Sequence, residues 1–131
     1  MIVLDTNIVI YFLNGHKEVA RQLSDYSPRE VAVSFITLGE LSFGAYHSKR
    51  SEHNLQKIFE LAETIEVIHS NEDLAKVYGR LKHQAIQMGR FPGDHDLWIA
   101  ATALQQQASL ITQNEKHFRW IPDLESINWV G

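Results

Sequence analysis

The sequence of 131 residues contains no cysteine, only three prolines and no excess of basic residues. The absence of cysteine excludes disulfide bonds, a thiol nucleophile and cysteine-ligated zinc, and it favours a cytoplasmic location. The chain has 12 Lys and Arg against 16 Asp and Glu, which gives a formal net charge of −4. Proteins that bind nucleic acid are usually basic, so the overall charge alone does not favour that class.

Long apolar runs are also missing. The apolar amino-terminal stretch is interrupted by Asp5 and Asn7 and carries no basic leader, so we expect neither a signal peptide nor a membrane span. Hydrophobic residues make up 44% of the chain, which is typical of a globular protein with one core. No repeat or flexible linker divides the sequence, and we therefore expect a single domain over residues 1–131.

Short apolar segments alternate with helical patterns along the chain. Strands are predicted at residues 1–4, 31–33, 65–68, 109–112 and 127–130. Helices are predicted at 8–13, 17–23, from 34, from 51, from 70 or 71, and from 94–96. This alternation predicts an α/β fold with a mostly parallel central sheet of four to five strands and helices on both faces. In such sheets, functional sites form beyond the carboxyl ends of the strands.

Four carboxylates stand where the surrounding pattern is apolar. Asp5 follows the first strand, Glu40 lies within an apolar helix, and Asp94 and Asp96 begin the most apolar helix of the chain. Carboxylates next to a core are costly unless they are paired, hydrogen-bonded or bound to a cation, and these segments offer no basic partner. Ligation by oxygen alone favours Mg²⁺ or Mn²⁺ over zinc, so we predict a divalent-metal site.

Each acid also has an ordinary structural interpretation. Asp5 can cap the first helix, and Asp94 or Asp96 is expected to cap the last one. Glu40 can complete a capping box with Thr37. Taken one at a time these acids are weak evidence for a metal, and the metal interpretation depends on all of them together.

Some expectations concern the neighbours of these acids. Ser34 offers an earlier start for the helix that carries Glu40, and His95 is expected to face solvent in a loop. In the two amphipathic helices, Phe59 and Met88 are expected on the apolar faces. Trp98 is expected to pack in or at the edge of the core.

Other enzyme classes lack their sequence signatures. The chain has no glycine-rich phosphate loop, no HExxH and no G-x-S-x-G, so triad hydrolysis has no support. A haloacid-dehalogenase-like phosphatase needs a second aspartate at the position of Asn7. A receiver-type phosphoacceptor domain would carry its aspartate after a later strand than the one that Asp5 follows.

Four segments, in this order and spacing, resemble the PIN-domain ribonucleases, specifically the VapC-type toxins of toxin–antitoxin pairs. They are L-D-T-N at 4–7, S-x-x-T-x-G-E-L at 34–41, G-D-H-D-L-W-I-A-A-T-A at 93–103 and L-I-T-Q-N-E-K-H-F at 110–118. The likeness covers nearly the whole chain and implies a three-layer PIN-like fold. It also implies that Asp5, Glu40 and Asp96 are the principal catalytic and metal-binding acids.

The resemblance assigns accessory roles to four further residues. Asp94 falls at a variable position and is at most an accessory residue. Thr6 and Thr112 match hydroxyl positions that orient a carboxylate or a water. Asn114 stands where many members have a fourth aspartate, and its amide can bind a ligating water or a substrate hydroxyl.

The activity implied by the resemblance is a Mg²⁺- or Mn²⁺-dependent endoribonuclease that cleaves RNA, often transfer or ribosomal RNA, with a metal-activated water. The implied partners are the RNA substrate, a cognate antitoxin protein that fills the acidic groove, and a second copy in a homodimer. The alternative is a catalytically weak PIN-like module that binds RNA or protein. The intact set of Asp5, Glu40 and Asp96 favours the enzyme.

Overall fold

The computed structural model describes residues 1–131, and strands and helices alternate along it. The strands are β1 (Ile2–Leu4), β2 (Val31–Ser34), β3 (Glu66–Ile68), β4 (Ser109–Ile111) and β5 (Ser126–Ile127). The helices are α1 (Thr6–Leu13), α2 (Lys17–Leu23), α3 (Phe35–Tyr46), α4 (Ser51–Thr64), α5 (Glu72–Gln87) and α6 (Asp94–Gln105). The α/β prediction is confirmed. Two short 3-10 turns, at Pro28–Glu30 and Glu115–His117, were not predicted, because one turn has no periodic pattern to detect.

The five strands form one sheet in the order β3-β2-β1-β4-β5. All four strand pairs are parallel, so the sheet is fully rather than mostly parallel. From β1 the chain moves outward through β2 to β3, and it then returns to the other side of β1 to form β4 and β5. This reversal creates a switch point between β1 and β4, where open parallel sheets form their ligand crevices.

Hydrophobic cores lie on both faces of the sheet, because alternate residues of a strand point to opposite faces. Ile2 and Leu4 of β1 belong to the core under α1–α4, whereas Val3 belongs to the core under α5 and α6. This arrangement confirms the three layers predicted from the sequence. No helix combines the length and the hydrophobicity that crossing a bilayer requires.

Two helix starts differ from the interpretations that treated the acids as caps. Helix α3 is capped by Ser34, whose Oγ accepts a hydrogen bond from the amide of Ile36 at 3.0 Å, so the capping box of Thr37 and Glu40 is wrong. Helix α6 is capped by Gly93 without any side-chain bond, so the expectation that Asp94 or Asp96 caps it is also wrong.

Gly93 explains how α6 begins. Its φ of +113° is a conformation that a side chain would strain, and glycine adopts it freely. Because the backbone of Gly93 makes the turn, the side chains of both acids in the first helical turn are released from capping. They are free to contact residues of other elements.

Three further expectations are corrected. The fifth strand is shorter than predicted, because the Asn128 side chain accepts hydrogen bonds from the amides of Val130 and Gly131 and folds the chain into a turn. Phe59 and Met88 are exposed rather than part of their apolar faces. In α4 the buried residue is Ile58, and the adjacent Phe59 lies on the exposed side, whereas Met88 follows the last residue of α5.

The first prediction concerns the core beneath α5 and α6. Phe118 is fully buried there, so Phe118→Ala removes most of a ring from a packed interior. We expect it to lower the free energy of unfolding by about 3–5 kcal/mol. Chemical denaturation measures the change, with Phe43→Ala as the control because Phe43 is 71% exposed. A loss equal to that of the control would contradict this description of the core.

Candidate active site

Asp5 lies at the switch point of the sheet, between β1 and α1. Its backbone amide donates to the carbonyl of Ile111 in β4 at 2.9 Å, which continues the β1–β4 ladder. Its Oδ1 accepts the amide of Thr6 at 2.8 Å, so Asp5 also caps α1. Its Oδ2 accepts the hydroxyl of Thr112, again at 2.8 Å. Asp5 exposes only 4% of its surface, and each of its two carboxylate oxygens accepts a hydrogen bond.

Thr112, which follows β4, joins Asp5 to the loop beyond it. Its side chain is fully buried, and its Oγ1 accepts the backbone amide of Asn114 at 3.0 Å while donating to Asp5. The start of this loop is therefore fixed relative to the Asp5 carboxylate. The side chains that follow β1 and β4 therefore meet at the carboxyl ends of these two strands.

Glu40 is directed toward the same region from the middle of α3. Its Oε1 accepts the hydroxyl of Thr6 at 2.7 Å, and the Thr6 and Thr37 hydroxyl oxygens are 3.1 Å apart. Its Oε2 lies 3.1 Å from Nδ1 of His95. His95 lies in the first turn of α6 rather than in a loop. It faces solvent as expected, and it also contacts an acid. Glu40 thus connects α1, α3 and α6.

Asp96 contacts a residue for which the sequence predicted no role. Its Oδ2 lies 2.8 Å from Nδ1 of His117, in the 3-10 turn after β4. The two residues are 21 positions apart, and no periodic pattern links them. A histidine in a polar loop has no signal that separates it from a surface residue, so only the fold reveals this contact.

Asp94 is directed away from the other three acids. Its Oδ1 accepts the hydroxyl of Tyr78 and lies 3.0 Å from Nζ of Lys82, both on α5. Hydrogen bonds from Tyr78 and then Lys82 lower the pKa of Asp94 below its usual value. The ring of Tyr78 stacks on Trp98 at 3.8 Å, which accounts for the expected edge packing of that tryptophan. Asp94 thus has its own partners and does not share the environment of Asp5.

Electrostatics single out Asp5 among the acids. Burial raises its pKa above the usual value, and the negative charges of Asp96 and Glu40 raise it further. The hydrogen bonds from Thr112 and Thr6 act in the opposite direction but do not cancel the effect of burial. None of the four ion pairs in the structure joins a lysine or arginine to any of these three acids. No lysine or arginine of the chain therefore neutralises the negative charge at the switch point.

A divalent cation fits this donor set. Asp5, Glu40 and Asp96 offer carboxylate oxygens, which are the ligands that Mg²⁺ and Mn²⁺ prefer. As the side chains are placed, no three Asp, Glu or His residues surround one ion-sized position. Glu40 and Asp96 instead direct one oxygen each to His95 and His117.

Comparison with known proteins identifies the family. A family model for the PIN domain matches residues 2–123. Ribonuclease VapC1 of Haemophilus influenzae strain R2866 is 40% identical over 128 residues, which cover 96% of this chain and 96% of the relative. A crystal structure of VapBC2 from Rickettsia felis bound to a DNA fragment from their promoter superposes with a TM-score of 0.90 at 35% identity, covering 98% of this chain and 99% of that chain.

A more distant relative carries a narrower name. The tRNA(fMet)-specific endonuclease VapC of Shigella flexneri is 28% identical over 126 residues, covering 96% of both chains. The chain therefore belongs to the PIN-domain family and, within it, to the VapC ribonucleases. Nucleases of this family generally depend on a divalent metal ion.

The raised pKa of Asp5 predicts a pH-dependent effect of neutralising it. At a pH above this raised pKa, the buried carboxylate of Asp5 is ionised, and its charge opposes folding. As the pH falls below this pKa, the folded protein takes up a proton, and the cost of burying the charge disappears. Asn at this position never carries the penalty. We expect Asp5→Asn to raise the melting temperature in chelator at pH 7, with a gain that shrinks as the pH is lowered toward 3.8, the usual pKa of an aspartate.

Thermal melts of both proteins across this pH range test the prediction. Glu63→Gln is the control, because Glu63 is exposed on α4 and makes no ion pair. If Asp5→Asn melts below the wild type at pH 7, then the hydrogen bonds from Thr6 and Thr112 outweigh the cost of burying the charge. The electrostatic description of the site would then be wrong.

Proposed function

We propose that this chain is a metal-dependent endoribonuclease and the toxin of a type II toxin–antitoxin system. The observation that carries the proposal is the set of three acids at the switch point of a parallel sheet, one of them buried, with no lysine or arginine to neutralise them. The proposed substrate is RNA, with transfer or ribosomal RNA as the expected class. The name of the Shigella relative supports transfer RNA.

In the proposed mechanism, Asp5, Glu40 and Asp96 hold Mg²⁺ or Mn²⁺. When bound, the ion supplies an activated water and neutralises charge that develops on the scissile phosphate. Thr112 and Thr6 hold the carboxylates of Asp5 and Glu40 in fixed orientations through bonds of 2.8 and 2.7 Å. Such hydrogen bonds to ligands keep a metal site preorganised.

Substitution of the two neighbouring aspartates tests the proposed roles. Asp96→Asn preserves side-chain volume but removes a negative ligand, so we expect RNA cleavage to fall by at least about 100-fold. Asp94→Asn affects an acid that contacts Tyr78 and Lys82, and we expect a change of only a few-fold. The measurement is a quantitative cleavage assay on transfer RNA with Mg²⁺ or Mn²⁺, and with chelator as the blank.

Thermal melts provide a readout that does not depend on activity. Mn²⁺ at a hundredfold excess over its dissociation constant should stabilise the wild type by about 2.7 kcal/mol, and this gain should be lost in Asp96→Asn. Equal losses of cleavage from Asp94→Asn and Asp96→Asn would contradict the assignment. A wild type that cleaves no RNA with either ion would contradict the proposed enzyme.

A surface next to Glu40 supports the proposed antitoxin partner. A groove of about 600 Å³ lies between α1, α3 and the start of α6. Ile10, Phe35 and Phe43, which line it, expose 41%, 52% and 71% of their surfaces. Exposed apolar area beside carboxylates favours a partner with apolar and basic residues. Solved relatives from Rickettsia felis and Haemophilus influenzae are VapBC structures, and VapBC is a family of toxin–antitoxin systems.

We expect the antitoxin to insert a basic residue, preferably arginine, among Asp5, Glu40 and Asp96, since arginine binds carboxylates in a bidentate manner. The triple variant Asp5→Asn, Glu40→Gln, Asp96→Asn should therefore bind its antitoxin at least about tenfold more weakly in calorimetry. Unchanged affinity would contradict this mode of inhibition.

The resemblance further implies a homodimer and a cytoplasmic location, and we include both in the proposal. Sedimentation of the purified chain tests the homodimer. The proposed substrate supports the location, because transfer and ribosomal RNA are found in the cytoplasm.

A further inference from the structure

A polar cavity of about 390 Å³ lies beside the three acids. It is formed by the loop after β4 and by the last residues of the chain. No hydrophobic residue lines it, and its walls are made by Gln113, Asn114, Glu115, Lys116, His117, Arg119, Asn128 and Gly131. A concavity with only polar walls favours a polar or charged ligand over an apolar one.

The charged side chains of this cavity favour an anion. Lys116 and Arg119 are both exposed, and neither forms an ion pair in the structure. Glu115 is the one acidic side chain in the wall. Asn114, which also lines the wall, is neutral. The side chains therefore present two uncompensated positive charges against one negative charge.

Two direct contacts connect this cavity to the acids. His117 forms part of its wall and lies 2.8 Å from Asp96 through Nδ1. Asn114, also in the wall, donates its amide to Thr112, which in turn donates to Asp5. The cavity and the acids thus share boundary residues, and a single extended ligand can contact both.

We propose that this cavity binds a phosphate of the RNA chain adjacent to the phosphate that is cleaved. The inference rests on the proposed ribonuclease function and adds to it the place where the flanking backbone is held. Arginine binds phosphate in a bidentate manner and lysine binds it as a point charge, so Arg119 and Lys116 supply the two principal contacts. The cavity also offsets the repulsion between the acidic site and a polyanion.

Binding of RNA without metal tests this subsite separately from cleavage. The probe is a fluorescein-labelled single-stranded RNA of about 12 nucleotides, measured by anisotropy in chelator over a range of salt concentrations. Each lost phosphate contact lowers the slope of log affinity against log salt by about 0.7 for single strands. We expect the double variant Lys116→Gln, Arg119→Gln to bind more weakly and to lose about 0.7 from this slope, because Lys116 and Arg119 together neutralise one phosphate.

The matched control is the double variant Lys76→Gln, Arg80→Gln, which makes the same change of charge. Both residues are exposed on α5 without ion pairs, and Arg80 lines a different cavity next to Ser109, at the amino end of β4. We expect this control to keep the slope of the wild type. If the two double variants reduce binding and slope equally, the attraction is a general charge effect and the proposed subsite is wrong.

Asn114→Asp tests the role of the missing fourth acid. If the cavity holds a phosphate, the added negative charge should weaken RNA binding in chelator relative to the wild type. If RNA binding is unchanged while Mn²⁺ raises the melting temperature more than it does in the wild type, the loop is a metal position and the subsite is overturned.

Cleavage of transfer RNA with Mn²⁺ separates failure of this inference from failure of the proposed function. If the wild type cleaves no transfer RNA, the proposed enzymatic function is contradicted. The anisotropy measurement still decides whether the cavity binds phosphate. In an active wild type, the Lys116→Gln, Arg119→Gln variant should raise KM about tenfold or more and leave kcat within a few-fold, because it weakens binding away from the reacting atoms. An unchanged KM would overturn the subsite.

Discussion

The buried carboxylate of Asp5 is the point on which the site depends. One of its oxygens caps α1, the other accepts the hydroxyl of Thr112, and its backbone amide continues the ladder between β1 and β4. These contacts join the two strands at which the order of the sheet reverses. A carboxylate placed there has almost no access to water, so its charge is destabilised, and it becomes a site for a cation rather than a surface acid.

Asp94 and Asp96 owe their environments to the way in which α6 begins. Gly93 makes the turn into α6 without a side-chain cap, and the three residues that follow are directed to three different elements. Asp94 contacts α5, His95 contacts Glu40 on α3, and Asp96 contacts His117 in the loop after β4. A single helical turn therefore places one acid outside the site and another inside it.

The net charge of −4 does not show how acidic and basic residues are distributed around the switch point. The acids lie at the carboxyl ends of the strands, whereas the uncompensated cations Lys116 and Arg119 lie in the adjoining loop. An enzyme that acts on a polyanion has to attract the substrate while keeping negative ligands for a metal. Separate acidic and basic surfaces that share His117 meet both requirements, because each acts on a different part of the substrate.

The sequence by itself determined the α/β class, the parallel sheet and most of the elements, and it predicted that Asp5, Glu40 and Asp96 form a site. These features follow from local information: the periodicity of apolar residues, the cost of acids in apolar surroundings and the order of motifs. Tertiary structure alone decided the contacts of Asp94 with Lys82 and of His117 with Asp96, and the short fifth strand. Such contacts join residues 12 or more positions apart or depend on the conformation of one glycine or asparagine, so no periodic pattern along the chain encodes them.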